Sequence, residues 1–153
     1  MRKIILPLVV VTLLFTACQS EKNQEDIDST LTSEKINISE TYCYSFIKNN
    51  DTAKLNFIST NGITTGELSY SLYQKDKNKG IIEGEMKGDT LIVDYTFDSE
   101  GSESVREVVF LKRNNQLIEG FGDVEEKDGK TVFKDRTKLI FGNSIVFKKI
   151  DCQ

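Results

Sequence analysis

Apolar and polar residues alternate with a period of two along most of the chain that follows residue 40. The clearest alternating segment is Thr90–Asp98, in which only Ile92 breaks the period. Its apolar positions are Leu91, Val93, Tyr95 and Phe97. A period of two places successive side chains on opposite faces of a β-strand, and no stretch of ten residues shows the longer period of an amphipathic helix. The pattern therefore predicts an all-β fold.

Turn-forming residues divide this region into short segments. They are Asn49–Asp51, Asn61–Gly62, Asp76–Gly80, Gly88–Asp89, Ser99–Ser102, Arg113–Gln116 and Glu125–Lys130. Short strands joined by tight turns every ~8–12 residues are typical of antiparallel sandwiches and barrels. We predict an antiparallel meander of about eight strands that closes into a small barrel, with a β-sandwich as the alternative.

The C-terminal part of the pattern predicts one longer strand and a final hairpin. The strand runs over Leu117–Val124, and the hairpin joins Lys138–Phe141 to Ser144–Ile150 across Gly142–Asn143. Glycines also interrupt several predicted strands, at Gly66, Gly84, Gly120 and Gly122. Such glycines suit bends where a sheet curls on itself, although each also fits a local β-bulge.

The N-terminal segment has the layout of a secretory signal peptide. Arg2 and Lys3 form a positive start, a short apolar run follows, and small residues precede Cys18. The apolar run is about a dozen residues, whereas a membrane-spanning helix needs ~20. We therefore assign residues 1–17 to a signal peptide, which directs the chain out of the cytoplasm.

The end of this segment, Phe15-Thr16-Ala17-Cys18, resembles the lipobox of bacterial lipoproteins. That resemblance implies cleavage before Cys18 and lipidation of Cys18, so that the protein is held at a membrane by its acyl chains. The alternative is ordinary cleavage that leaves Cys18 as a free thiol. Lipidation implies the outer membrane of a bacterium, with the protein on its periplasmic face or at the cell surface.

Residues 18–40 are polar and show no sustained period, so we predict a flexible tether before a single domain over residues 41–153. Acidic residues follow Cys18 closely, at Glu21, Glu25, Asp26 and Asp28. An acidic cluster at this place resembles the surface-export signal of Bacteroidota lipoproteins, although a solvated tether explains it equally well. Loss of Arg2 and Lys3 with the signal changes the net charge from −4 to −6.

Mild acidity and the absence of histidine exclude several classes of function. An acidic chain without a basic patch is a poor ligand for nucleic acid or anionic lipid. With no histidine among the 153 residues, a catalytic triad and the common zinc sites are excluded. Asp76–Gly80 lacks the spacing of a calcium loop, and we predict no metal and no cofactor.

Two cysteines, Cys43 and Cys152, bracket the predicted domain. A compartment beyond the inner membrane is oxidising and allows a disulfide between them. Such a bond requires the first and last strands to be neighbours, because bridged Cα atoms lie ~5–6 Å apart. A closed barrel has this property, whereas two unpaired thiols are the alternative.

Arg106 and Glu107 are adjacent charges inside an otherwise apolar strand. Adjacent strand residues face opposite ways, so in a closed barrel one of the two points inward and needs a partner, water or a ligand. Both faces of the strand are apolar, so the sequence does not choose between them. The alternative is that both lie at a wet rim of the barrel. We take Arg106 and Glu107 as candidate ligand-binding residues.

Other polar and aromatic residues carry weaker signals. Tyr95 is a further candidate, since tyrosines can stack on a sugar or lipid, although most are expected in the core or in cross-strand pairs. Five carboxylates within strands are expected on the solvated face of the sheet rather than as a catalytic pair. They are Glu67, Glu83, Glu85, Asp94 and Glu119.

Taken together, the lipobox and the β pattern resemble the small β-domain lipoproteins of flavobacteria and related Bacteroidota. That resemblance extends loosely over Cys43–Cys152, through Gly84–Phe97 and Ser104–Phe110. The meander also resembles lipocalin-like barrels in architecture, which by itself implies no function. We expect a non-enzymatic, lipid-anchored barrel that binds a small or apolar ligand, or an envelope partner. The alternative is a protein-binding module, such as an inhibitor of a periplasmic or secreted hydrolase.

Overall fold

A computed structural model describes residues 39–75, 77–99, 101–142 and 145–153 of the chain. The predicted signal peptide, Cys18 and all but the last two residues of the predicted tether lie outside the described residues. The first strand begins at Ser39, two residues before the predicted domain start. In the described part of the chain no helix has the length and apolar character needed to cross a bilayer.

The described chain forms ten strands and one short 3₁₀ turn. The strands are β1 Ser39–Lys48, β2 Asp51–Thr60, β3 Ile63–Ser71, β4 Lys77–Lys87, β5 Thr90–Ser99, β6 Ser102–Arg113, β7 Gln116–Glu119, β8 Val124–Lys127, β9 Lys130–Phe133 and β10 Val146–Ile150. The 3₁₀ turn is Arg136–Lys138, and the side chain of Asp135 caps its N-terminus. The all-β prediction is confirmed.

Eight of these strands close into an antiparallel barrel. Their order is β5-β4-β3-β2-β1-β10-β7-β6, and β5 pairs with β6 to complete the circle. Strands β8 and β9 form an additional hairpin that meets the barrel through a parallel contact between Thr131 and Arg106. The predicted barrel is therefore confirmed, and closure leaves its eight strands without a free sheet edge along the paired stretches.

Two-residue turns join β1 to β2, β2 to β3, β4 to β5 and β6 to β7 and set the register of these pairs. Asn61 and Gly62 join β2 to β3 with φ angles of 53° and 86°. Two successive positive φ angles are those of the type I′ turn, whose twist matches that of the flanking strands. The predicted Asn-Gly hairpin is thus formed, and Thr60 pairs with Ile63 directly across it.

The disulfide between Cys43 and Cys152 is also confirmed. Their Cα atoms are 5.3 Å apart, and the bond joins residues separated by 109 positions in the chain. It lies beside the pairing of β1 with β10, in which Cys43 faces Ile150. The first and last strands are neighbours, as the bond requires.

Two predictions for the C-terminal region are wrong. Leu117–Val124 is not one strand, because β7 ends at Glu119 and Phe121 makes only an isolated bridge to Ile140 before β8 begins. The hairpin between Lys138–Phe141 and Ser144–Ile150 does not form, since β10 pairs with β1 and β7 instead. Because β10 lies between β1 and β7, the backbone N–H and C=O groups along its edges find hydrogen-bond partners on both sides and the barrel closes. A local hairpin would pair only one of its edges and would leave the barrel open.

Glycines allow close approach between strands on the inward face. A Cβ added at Gly66 would lie 2.1 Å from the carbonyl oxygen of Asn56, and one at Gly84 would lie 2.1 Å from that of Ile92. Both distances are far below van der Waals contact. The close approach of the neighbouring strand therefore requires glycine at both positions.

Apolar side chains fill the interior of the barrel, beginning at the end where β1 starts. Its core contains fully buried residues from all eight barrel strands, among them Tyr44, Leu55, Leu68, Ile82, Leu91, Tyr95, Phe110, Leu117 and Phe147. Filling stops near the opposite end, where β3, β5 and β7 finish and β4, β6 and β10 begin. We call this end the mouth, and Ser39 lies at the end opposite to it.

Candidate ligand-binding site at the barrel mouth

The pairing of β5 with β6 decides which of the two adjacent charges enters the barrel. Arg106 lies opposite Tyr95, and Glu107 lies opposite Asp94. Directly opposed residues of an antiparallel pair point to the same face. Tyr95 is completely buried in the core, so Arg106 points inward and Glu107 points outward.

Three aromatic rings surround the guanidinium of Arg106. Its Cζ atom lies 5.4 Å from the ring centroid of Tyr70, 5.6 Å from that of Tyr95 and 5.7 Å from that of Phe97. A cation within ~6 Å of an aromatic face is attracted by the quadrupole of the ring. The rings therefore stabilise the charge inside the barrel.

This cation forms no ion pair with a carboxylate of the described residues, although the charge of Arg106 does act on the nearby Glu119. Within the described residues no carboxylate lies within 4.0 Å of the guanidinium, and Arg106 Nε is buried without a hydrogen-bond partner. A buried donor that lacks a partner costs about 1–3 kcal/mol. The hydroxyl of Tyr95 is likewise buried and unpartnered among the described residues. An acceptor that reached this cluster would recover part of that cost.

Glu119 supplies a titratable carboxyl group beside the arginine. It is the last residue of β7, is only 5% exposed, and accepts a hydrogen bond of 3.0 Å from the hydroxyl of Tyr70. Burial raises the pKa of Glu119 from 4.5 to about 7, while the nearby charge of Arg106 and the hydrogen bond from Tyr70 oppose the rise. Near neutral pH this carboxyl is therefore present in both protonation states.

Both tyrosines of the cluster stay protonated at neutral pH. Burial raises the pKa of Tyr95 to about 12, and burial together with the charge of Glu119 holds the pKa of Tyr70 well above its ordinary value. Tyr70 is thus a hydrogen-bond donor to Glu119 in either state of the carboxylate. Glu119 is the member of the cluster that changes charge near neutral pH.

The cluster opens into a cavity of about 600 Å³ at the mouth. Its lining consists of Tyr70, Leu72, Lys75, Asn78, Arg106, Glu119, Phe121 and Ile145. The charged lining residues are Arg106 and Glu119 at the base of the cavity, together with Lys75. Leu72, Phe121 and Ile145 form its apolar walls. Ligand pockets typically measure ~300–1,000 Å³ and combine apolar walls with a few polar groups, so this cavity has suitable size and composition.

Glu107 has a different environment on the outer face. The Nε of Arg136 donates to both carboxylate oxygens of Glu107 at 3.0 Å, and Nη2 of Arg136 also pairs with this carboxylate. Backbone N–H of Phe133 donates to the same group at 3.4 Å. Glu107 thereby attaches β9 and the 3₁₀ turn to the outside of the barrel, and we assign it no part in the mouth site.

The three predicted ligand-binding residues thus have three separate positions. Arg106 lines the cavity, Tyr95 packs beneath its guanidinium, and Glu107 lies outside. Glu119 was expected on the solvated face, and that expectation is wrong. Glu119 lies two residues after the buried Leu117 in the same strand, so both side chains point into the barrel. Glu67, Glu83 and Glu85 are exposed as expected, and Asp94 is partly exposed and paired with Lys130 on the outside.

Tyr70 is a further site residue, which the sequence did not distinguish from the other tyrosines that could stack on a ligand. The signal was present in the alternation of Leu68, Tyr70 and Leu72, which places Tyr70 on the apolar face. The described residues hold no group of three or more metal-ligating side chains.

Comparisons with protein-family models, with curated proteins and with solved structures find no match to this chain. The function proposed below therefore rests on the geometry of the mouth and on the sequence.

Proposed function

We propose that this protein is a lipid-anchored lipoprotein of the bacterial outer membrane whose barrel binds a small ligand at the mouth without catalysing a reaction. The observation that carries the proposal is Arg106, a cation inside the barrel that has no carboxylate partner among the described residues and lines a cavity of about 600 Å³. A charge in such a place is expensive unless something pairs with it. A bound ligand is the partner we infer.

The anchor part of the proposal is supported by the lipobox-like Phe15-Thr16-Ala17-Cys18. The described chain begins at Ser39, at the end of the barrel opposite the mouth. We expect a lipid on Cys18 to hold the protein by the end that lacks the cavity. Mass spectrometry of the protein extracted from membranes tests this part, since lipidation adds acyl mass to Cys18.

Binding at the mouth is tested with the neutral fluorescent probe N-phenyl-1-naphthylamine and the mature chain, expressed without its lipid. We expect one probe to bind per chain. Asn78→Trp places a large side chain in the cavity and should abolish binding. Asn56→Trp, on the exposed outer face of β2, is the matched control and should bind as the native protein does.

Circular dichroism and the melting temperature establish that both variants fold. If Asn78→Trp does not fold, Phe121→Arg at the exposed rim of the cavity replaces it. Equal probe binding by native protein and a folded mouth variant would contradict the proposal, as would the absence of any binding to the native protein.

The protein-binding alternative needs a projecting element. The β5–β6 connection is not such an element, because Ser99 pairs directly with Ser102. Support for the protein-binding alternative comes from β8, whose four residues are all exposed, including the apolar Val124. Substitution of Val124 by Lys should weaken a partner that binds this hairpin and should leave the mouth probe unaffected.

A further inference from the structure

The charges around the mouth cavity leave a place for one negative group. Arg106 carries a permanent positive charge at its base, and Lys75 lines the same cavity. Among the described residues that line it, Glu119 is the acidic one. A guanidinium presents a planar fork of donors that matches a carboxylate or a similar anion. The unsatisfied Nε of Arg106 belongs to that fork.

The walls of the cavity indicate the rest of the ligand. Leu72 and Ile145 pack against the core, and Phe121 is 42% exposed at the rim. Apolar walls above a cationic base fit a molecule with an anionic head and an apolar body. The filled core below limits how far such a body can enter, so it lies along the walls of the mouth.

We infer that the ligand of the mouth is an organic anion with an apolar body, and that Glu119 takes up a proton from solvent when this anion binds beside it. The inference rests on the proposed function and adds to it the chemical class of the ligand and a dependence on pH. No covalent bond forms or breaks, and the proton comes from water onto a carboxylate oxygen of Glu119.

The proton uptake follows from the groups that face Glu119. Among the described residues, Tyr70 from β3 donates a hydrogen bond to it and the charge of Arg106 from β6 acts on it. Lys75, from the turn after β3, lines the same cavity, and Tyr95 from β5 contacts Arg106. A second negative charge in this enclosed space repels the carboxylate and competes with it for Arg106, so the neutral acid becomes favoured. Of Glu119 and the two tyrosines, only Glu119 has a pKa near neutrality, at about 7.

The test is displacement of N-phenyl-1-naphthylamine from the mature chain by octanoate and by octanol, two molecules with the same chain length. Octanoate stays ionised from about pH 6 to pH 9, so its own titration does not contribute. We expect octanoate to bind at least about tenfold more tightly at about pH 6 than at about pH 9. Octanol should bind equally at both.

Two variants assign the effect to residues. Glu119→Gln should bind octanoate tightly and equally at both pH values, because it cannot become charged. Arg106→Gln should lose the preference for octanoate over octanol while still binding the neutral probe. Arg106→Lys keeps the positive charge and should retain part of the preference, which provides a second test if Arg106→Gln does not fold.

The outcomes separate this inference from the proposed function. If the neutral probe does not bind the native protein, the proposed function fails. If the probe binds but octanoate displaces it no better than octanol, the anionic ligand is wrong. If octanoate binds preferentially and Glu119→Gln keeps the pH dependence of the native protein, the proton uptake by Glu119 is wrong.

Discussion

The hydroxyl of Tyr70 donates a hydrogen bond of 3.0 Å to the carboxylate of Glu119, and this bond joins β3 to β7 across the inside of the barrel. The two residues are separated by 49 positions in the chain. Their contact places a titratable acid next to Arg106, at the point where the apolar core gives way to the mouth. We expect the stability of the fold and the proposed binding at the mouth both to depend on this contact.

Removal of the hydroxyl should weaken the fold and change the titration of Glu119. Tyr70→Phe leaves the buried carboxylate without its donor, which should lower the free energy of unfolding by about 1–2 kcal/mol. The pKa of Glu119 should rise further, since the hydrogen bond lowers it. Urea unfolding and NMR titration of the carboxyl carbon measure the two effects. Tyr73→Phe, at an exposed tyrosine, is the control.

Stability should fall as the pH rises through neutrality. The pKa of Glu119 is about 7 in the folded protein and lies near 4.5 in the unfolded chain, so the folded state holds a proton that the unfolded chain has lost. Stability from this group is complete below about pH 4.5 and is lost as the pH rises through about 7, with a total effect of about 3 kcal/mol. No histidine titrates in this window because the chain has none.

Urea unfolding of the native protein and of Glu119→Gln at about pH 5 and pH 8 measures this effect. We expect the native protein to lose stability between the two values and the variant to change little. Parallel losses in both proteins would show that another group is responsible.

The adjacent residues Arg106 and Glu107 should have separable effects. Glu107→Gln should lower the free energy of unfolding by about 1–2 kcal/mol and leave octanoate binding unchanged. Its partner Arg136 is half exposed, which limits the loss. Arg106→Gln should weaken octanoate binding. It should change stability by less than about 1 kcal/mol, because removal of the unpartnered Nε–H offsets the lost contacts with the three aromatic rings. Reversed effects would contradict the placement of the two side chains.

Reduction of the disulfide should destabilise the barrel. The bond closes a loop across 109 positions and constrains the unfolded chain, which corresponds to about 4–5 kcal/mol in the chain-entropy model. The free energy of unfolding, measured in urea, should be higher for the oxidised native protein than for the Cys43→Ser, Cys152→Ser double variant. After reduction of the native protein the two values should be equal. Equal stability of the oxidised and reduced native protein would show that the bond contributes nothing.

A side chain at Gly84 should disrupt the barrel wall. Its Cβ would lie 2.1 Å from the carbonyl oxygen of Ile92 and 2.7 Å from the Cα of Val93, both of which are backbone atoms in β5. Gly84→Ala should therefore lower the free energy of unfolding by about 3 kcal/mol. Gly142→Ala is the control, since a Cβ there would meet no atom within 4 Å.

The sequence predicts the barrel because alternation and turn chemistry are local properties. The Asn61–Gly62 turn and the alternation in β5 both appear in the structure as expected. Pairings between distant segments were harder to predict, since β10 lies between β1 and β7 instead of forming a hairpin with the residues before it. The turn-forming residues Gly142–Asn143 favour a local hairpin, and they contain no information about the alternative pairing of β10 with the distant strands β1 and β7.

The same limit applies to the mouth site. Alternation shows that Arg106 and Glu107 face opposite ways, but the register with β5 decides that Arg106 faces inward with Tyr95. Glu119 ends a run in which both faces are apolar, so its direction depends on the closure of the barrel around Leu117. Contacts such as that between Tyr70 and Glu119 exist only after closure.

The most direct test of the mouth site is the NMR signal of the Arg106 Nε–H group. After loss of residues 1–17 the chain contains three arginines, Arg106, Arg113 and Arg136, so Arg106→Gln assigns the signal. We expect added octanoate to shift the Arg106 signal and to leave those of Arg113 and Arg136 in place, while octanol has no such effect. An Arg106 signal that octanoate does not move would contradict the account.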